Sequence, residues 1–312
     1  MQEKFHKSKI LEKEQLRALM TRADHPAISR FILCFSAFLL SGVWIVWSWD
    51  KGWLWLIASH FVFGLFCCSM FAALHESGHG TAFKSRKLNR LVATIAGIAH
   101  VYPSHIFREL HFAHHRYTHI PGKDPEISIG DQPAPAILTN PPIYLAFITG
   151  LPFLLFKVNL ILLGMVGSPE FIRKKITAYI RPKMRKQIAI ECFFMTLIYG
   201  GLIYLALYVN PGFWGLLTGQ VVGHGLLSTY LVMEHNGLPH DGNILEKTRS
   251  IRVNKVVAYL LWNMPFHAEH HAYPAVPFHA LPLLHEEIKE ELVHKEDGLP
   301  ILHYETVRRF GK

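Results

Sequence analysis

Residues 74–83 read LHESGHGTAF, and their first residue, Leu74, is the last of the apolar run WLWLIASHFVFGLFCCSMFAAL at 53–74. Within them, His75-Glu76-Ser77-Gly78-His79 fits H-E-x-x-H, which on a helix pairs two metal ligands one turn apart with a glutamate base, as in zinc proteases. It also fits the looser His-x-x-x-His of other metal sites. The apolar run and the remaining histidines separate these readings.

The chain has 312 residues, is 50% hydrophobic, contains 21 histidines and carries a formal charge of +9. Four segments are apolar and long enough for a bilayer, which takes about 20 residues of helix: 29–49, 53–74, 189–208 and 213–233. A fifth, 143–166, is interrupted by Gly150-Leu151-Pro152. The 28 residues ahead of the first segment are polar, and no signal peptide is expected there. Cys34, Cys67, Cys68 and Cys192 all fall inside apolar segments and read as small packing residues. No phosphate loop, internal repeat or separate soluble domain is evident. The basic charge fits a membrane surface and an acidic partner better than nucleic acid.

Spans one and two are joined by Asp50-Lys51-Gly52, and spans three and four by Asn210-Pro211-Gly212. Turns this short make two helical hairpins. Lysine and arginine concentrate on cytoplasmic loops, and the stretch 168–187 holds seven of them against one Glu. That places this loop and the N-terminal arm on the cytoplasmic side. The segment 143–166 then cannot cross once, and is expected to be interfacial or re-entrant. The fold expected is all-α: one membrane domain over 1–312, with an arm (1–28), a first hairpin (29–74), a central cytoplasmic or interfacial region (75–188), a second hairpin (189–233) and a cytoplasmic helical cap (234–312).

Three histidine clusters share that face: His75 and His79; His111, His114 and His115 in HFAHH; His267, His270 and His271 in HAEHH. Offsets of three and four residues place side chains on one helix face, so each cluster is expected to present a compact group. Eight imidazoles exceed the three or four protein ligands of one zinc and suit two metal ions with positions left open. Imidazole accepts iron, copper, nickel or zinc, so ligand type alone does not choose.

HESGH, HFAHH and HAEHH, in this order and with the two hairpins, resemble the three histidine boxes of the membrane fatty acid desaturase and hydroxylase superfamily over about 31–285. The resemblance implies a non-haem di-iron centre using O2 and two electrons to desaturate or hydroxylate an unactivated C–H position of a lipid, foremost a fatty acyl chain. Carotenoid ketolases and hydroxylases belong to the same superfamily. It implies a separate electron donor, a ferredoxin or small cytochrome, which the basic stretch 173–186 would dock unless that stretch meets anionic headgroups instead. It also implies a further ligand after the last span, here His235 in MEHNG, with His119 as competitor. Glu76 becomes a residue behind the ligands rather than a protease base. An intramembrane zinc protease leaves six box histidines without a role, and a non-catalytic metal-binding or transport protein is the third reading.

Asn263, four residues before His267, is expected either to orient an imidazole or bound water, or to form a turn. His60 and His224 are polar groups within spans. At 1.5 Å per residue, His60 lies roughly 22 Å from His75 and His224 roughly 16 Å from His235, too far to share a metal. Gln220, His224 and Ser228 form one stripe, expected either to wall a substrate cavity or to hydrogen bond between helices. His100 and His105 read as helix-end residues, and His279, His285 and His294 as a solvated face.

Overall fold

The computed structural model describes residues 11–126, 128–129, 132–133, 140–166, 179–296 and 298–310. The start of the arm and the stretch 168–178 of the basic loop lie outside the described residues. In chain order the helices are α1 (Lys13–Leu19), α2 (Asp24–Ser48), α3 (Trp53–His79), α4 (Arg86–Ala99), α5 (Ser104–Tyr117), α6 (Pro141–Ile148), α7 (Leu151–Val166), α8 (Arg185–Tyr208), α9 (Trp214–His235), α10 (Lys255–Leu260), α11 (His267–Ala272), α12 (Leu281–Ile288) and α13 (Leu299–Arg308). Strands are confined to two-residue pairs: β1 (Ser128–Ile129) antiparallel to β2 (Gln132–Pro133), and β3 (Ser250–Ile251) parallel to β4 (Lys295–Glu296). The all-α class expected from the sequence is observed.

Four stretches are helical, apolar and long enough to cross a bilayer: Lys13–Ser48, Trp53–His79, Pro182–Tyr208 and Pro211–His235. Their apolar windows are 56% and 50% buried for α3 and α9, against 33% and 22% for α2 and α8. The inner pair is therefore α3 and α9. The outer helices turn Leu40, Val43, Phe194, Leu197 and Leu207 outward, as a lipid-facing surface requires. Small residues let the inner pair touch: a Cβ on Gly223 would sit 2.6 Å from the Cys67 Cβ, and one on Gly219 would sit 2.7 Å from the Phe63 ring. Lipid-embedded helices rely on such close packing, because burial from lipid gives little hydrophobic gain.

The helices overrun the spans read from hydropathy. α3 continues without a break through His75 to His79 and ends at Gly80, whose φ of +75° makes a left-handed cap. The first histidine pair thus sits on the rigid end of a span. The segment 143–166 divides as its sequence indicates, with α6 and α7 meeting at a 65° bend. Gly150 forms that corner at φ +73°, and a Cβ there would lie 2.1 Å from the backbone nitrogen of Gly225. Only glycine meets both demands.

α5 is held by the second hairpin. Its first turn presents free N–H groups, and the Glu191 carboxylate of α8 accepts from Ser104 N at 2.8 Å and His105 N at 3.1 Å. A carboxylate at a helix N-terminus also meets the favourable end of the helix dipole. The segments around α10–α12 close over the ends of α3 and α9 with a core containing Trp262, Phe278, Leu281, Leu284 and Ile288, all fully buried.

Candidate metal centre

The histidine-bearing elements meet where α3 and α9 end. Their ring nitrogens gather in two groups, each with its potential ligand atoms within 4.8 Å of one another. The first holds His75, His79, His111, His115 and His270; the second holds His114, His235, His267 and His271. All nine expected side chains are present, and all but His79 are buried.

Each H-x-x-H-H triplet is split between the groups, and here the structure departs from the expected compact clusters. His111 and His115 join the first group while His114 joins the second; His267 and His271 join the second while His270 joins the first. Helix geometry explains this. Successive residues turn by about 100°, so positions i and i+4 nearly coincide, whereas i+3 falls on the other side of the stripe. One short helix therefore serves two adjacent centres.

Five of the outer ring nitrogens, those of His75, His111, His114, His235 and His271, are tied down by hydrogen bonds. His75 Nδ1 is 2.8 Å from Glu76 Oε1, and His111 Nδ1 is 2.8 Å from Glu126 Oε1. His114 Nδ1 lies 2.9 Å from both oxygens of Asp124. His235 Nδ1 donates to the Lys247 carbonyl at 2.8 Å, His267 Nδ1 lies 3.1 Å from Glu234 Oε1, and His271 Nδ1 is 3.3 Å from Thr118 Oγ1. An acceptor at Nδ1 fixes the proton there and leaves the Nε2 lone pair facing inward.

The inward nitrogens are close. The Nε2 atoms of His235 and His267 lie 2.9 Å apart, those of His79 and His111 2.9 Å, and those of His115 and His270 3.1 Å. His235, with its Nδ1 proton on the Lys247 carbonyl, turns an Nε2 lone pair toward His267 across that gap. Such an arrangement calls for a cation between the rings. The residues fit two metal ions, with five and four nitrogen donors.

Electrostatics agree for five of the rings, and His114 is the exception. Burial and the neighbouring rings push His111, His115, His267 and His271 well below the usual imidazole range. Burial and His75 push His270 down to about 3. These rings are neutral at pH 7, the form that binds a metal. Burial also disfavours charge on His114, but Asp124, Glu126 and Glu234 outweigh it and raise its pKa to about 9.

The remaining expectations fall elsewhere. His119 is outside both groups: its Nδ1 donates to the Pro239 carbonyl at 2.7 Å, and its backbone N–H donates to Asp124 at 2.8 Å. Asn263 is placed in a turn at φ +61°, with its amide donating to the Phe278 carbonyl at 2.9 Å. That is the turn alternative rather than contact with an imidazole. Glu76 stands on the Nδ1 side of His75, away from the inward Nε2, so it is not where a protease base would act. His60 hydrogen bonds Thr218 of α9 at 2.8 Å, an interhelical tie. His105 meets Glu191, His285 meets the buried Glu269, and His294 meets the Glu246 carbonyl.

Asp124, Glu126, Glu234 and Thr118 were not singled out from the sequence. Asp124 and Glu126 carried one readable signal, an acidic pair in GKDPE shortly after HFAHH. The chain leaves α5 through His119 at φ +61° and Gly122 at φ +74°. That reversal carries the Asp124 carboxylate back under His114, and no spacing rule foretells it.

Comparison with known proteins agrees with this geometry. The fatty acid desaturase family model matches residues 51–304. Sphingolipid delta(4)-desaturase DES1 of Xenopus tropicalis is 28% identical over 241 residues, covering 75% of this chain and 66% of that protein. The human protein of the same name is 26% identical over 265 residues, covering 81% and 73%. The sn-1 oleoyl-lipid 12-desaturase of Synechocystis sp. is 26% identical over 240 residues, covering 70% and 64%. The chain spans about two thirds of the length of these relatives. With the family model covering most of its residues, the chain belongs to the fatty acid desaturase family.

Proposed function

We propose that this chain is a membrane-bound di-iron oxidoreductase that introduces a double bond, or a hydroxyl, at an unactivated C–H position of a lipid. The observation that carries the reading is the pair of imidazole groups, with the Nδ1 atoms of His75, His111, His114, His235 and His271 anchored on their outer side. His75, His79, His111, His115 and His270 would hold one iron, and His114, His235, His267 and His271 the other. Iron held there supplies O2-dependent two-electron oxidation of a C–H bond.

The protein's own part is positional. Glu76, Asp124, Glu126 and the Lys247 carbonyl fix ring orientation and proton position. Eight of the nine rings are buried, which keeps bulk water from the groups. Both groups sit where α3 and α9 leave the apolar body, a place suited to an apolar chain entering from the membrane. The named relatives act on sphingolipids and on oleoyl lipids, which supports a long acyl or sphingoid chain as substrate. Electrons come from a separate carrier, and the site faces the cytoplasm.

Two measurements test the reading. Purified full-length chain should carry iron in both groups, and lipids from cells expressing it should gain a product that disappears without O2. Bound zinc with unchanged lipids would sink it. For orientation, reporter fusions after Lys186 and after Lys312 should both read cytoplasmic, and one at Pro211 should read the opposite side.

A further inference from the structure

α5 carries His111, His114 and His115 on its buried side. Its other side is a stripe of Arg108, Phe112 and Arg116, spaced four residues apart and therefore aligned along the helix. Arg108 and Arg116 are exposed, and Phe112 is half-buried. Of the nine histidine rings, His79 alone is not buried. The Phe112 ring meets the His79 ring edge to face, with centroids 5.5 Å apart. The Arg108 guanidinium lies 4.5 Å from the centroid of the same Phe112 ring, and its Nε donates to the Gly78 carbonyl at 3.1 Å. The stripe and the end of α3 thus form one surface. Phe112 is one ring away from the first histidine group.

The part of the basic stretch 173–186 that falls among the described residues joins this face. The Tyr179 ring lies 6.4 Å from that of Tyr117, and the Tyr179 hydroxyl donates to the Lys123 carbonyl at 2.6 Å. Arg181 Nε donates to the Glu109 carboxylate of α5 at 2.7 Å. Glu109 is buried and is shared with Arg108, whose guanidinium lies 4.0 Å from it. Arg181 is exposed, and so are Lys183, Arg185 and Lys186 after it. The surface bordering Phe112 is therefore positive, with its one α5 carboxylate turned inward.

A positive rim speeds the approach of an acidic partner and rejects a basic one. Electron tunnelling falls steeply with distance, so electrons reach a buried metal best where a ligand ring comes to the surface. Both conditions meet at His79, and the other eight rings are buried.

We propose that the Arg108, Phe112 and Arg116 face of α5 docks a small acidic one-electron carrier protein, with Phe112 and His79 as the electron entry to the first group. Each docking oxidises the reduced carrier by one electron and passes that electron to iron held in the first group. Two dockings supply the two electrons that the reaction takes. The electron's destination rests on the di-iron reading; the docking face does not.

A plant-type [2Fe–2S] ferredoxin serves as the probe, against iron-loaded full-length protein in nanodiscs of zwitterionic lipid. Binding is titrated, and transfer is followed in stopped flow as reoxidation of the reduced ferredoxin. Arg116→Glu should weaken binding about tenfold at low salt, with the difference closing at high salt. Lys51→Glu makes the same charge change at the far end of α3 and should leave binding unchanged. Phe112→Leu should keep affinity and iron content but slow ferredoxin oxidation severalfold, and Phe112→Tyr, which retains a ring, should restore the rate. No weakening by Arg116→Glu, the result expected if lipid headgroups cover this face, overturns the docking. Equal weakening by Arg116→Glu and Lys51→Glu does the same, since it shows attraction to net charge alone. An unchanged rate in Phe112→Leu overturns the entry route. Parent protein that binds ferredoxin through Arg116 yet never oxidises it supports the face and counts against iron in the groups.

Discussion

Asp124 holds His114 through both carboxylate oxygens, each 2.9 Å from Nδ1, and both residues are fully buried. The same carboxylate accepts the backbone N–H groups of His119 and Glu126 at 2.8 and 2.9 Å. One side chain thus locks a loop and aims a ring. Asp124→Asn keeps the size but not the charge, and removes the acceptor from one side. Metal affinity of the second group should fall about 10–100-fold, as with other partners of ligating histidines. Metal titration of the purified variant checks this, and an unchanged affinity would show that Asp124 serves only the loop.

Glu76 lies behind His75 and not beside the inward nitrogens. Glu76→Gln retains an oxygen able to accept from His75 Nδ1. Both metal groups should stay filled and product formation should drop only in part. A general base contributes about 10²–10⁴-fold. A collapse of that size with zinc bound would restore the protease reading of HESGH.

The sequence shows this architecture wherever a pattern is local. Apolar length marked the spans, and Gly150-Leu151-Pro152 marked the bend between α6 and α7. The spacing of His111, His114 and His115 marked a helix face. What local pattern does not carry is the partition of each triplet, because that depends on where a second helix lies. His114 and His115 are neighbours in sequence, yet the turn of about 100° between them points them at different groups, each completed by residues from other helices. The full burial of Lys157 is hidden in the sequence for a related reason. A single lysine in an apolar stretch looks interfacial until the Gly150 corner is seen to carry α7 inward.

That corner can be tested directly. Gly150→Ala places a methyl group in a left-handed conformation, which costs roughly 1–2 kcal/mol, and against the backbone of Gly225 at 2.1 Å. α6 and α7 must move away from α9. The thermal midpoint in detergent should fall, with a larger loss than for Gly200→Ala, where an added Cβ meets nothing within 4 Å. Equal midpoints for the two variants would mean that the bend is not fixed by this contact.

The split of the triplets yields the sharpest prediction. His270 and His271 are adjacent, but His270 belongs with His75, His79, His111 and His115, and His271 with His114, His235 and His267. His270→Ala should empty the first group and spare the second; His271→Ala should do the reverse. Each single variant should lose half the bound iron and nearly all O2-dependent product, because the proposed reaction uses both ions. The double variant should lose the rest of the iron. His119→Ala, at a residue bonded to the Pro239 carbonyl, and Asn263→Ala, at one bonded to the Phe278 carbonyl, should keep full iron. Asn263→Ala should still lower stability by about 1 kcal/mol for the lost hydrogen bond. Iron per folded chain, measured beside membrane insertion, separates the cases. Full loss of iron in either single variant would show one cooperative centre instead of two groups. Full retention in both would remove HAEHH from the metal site.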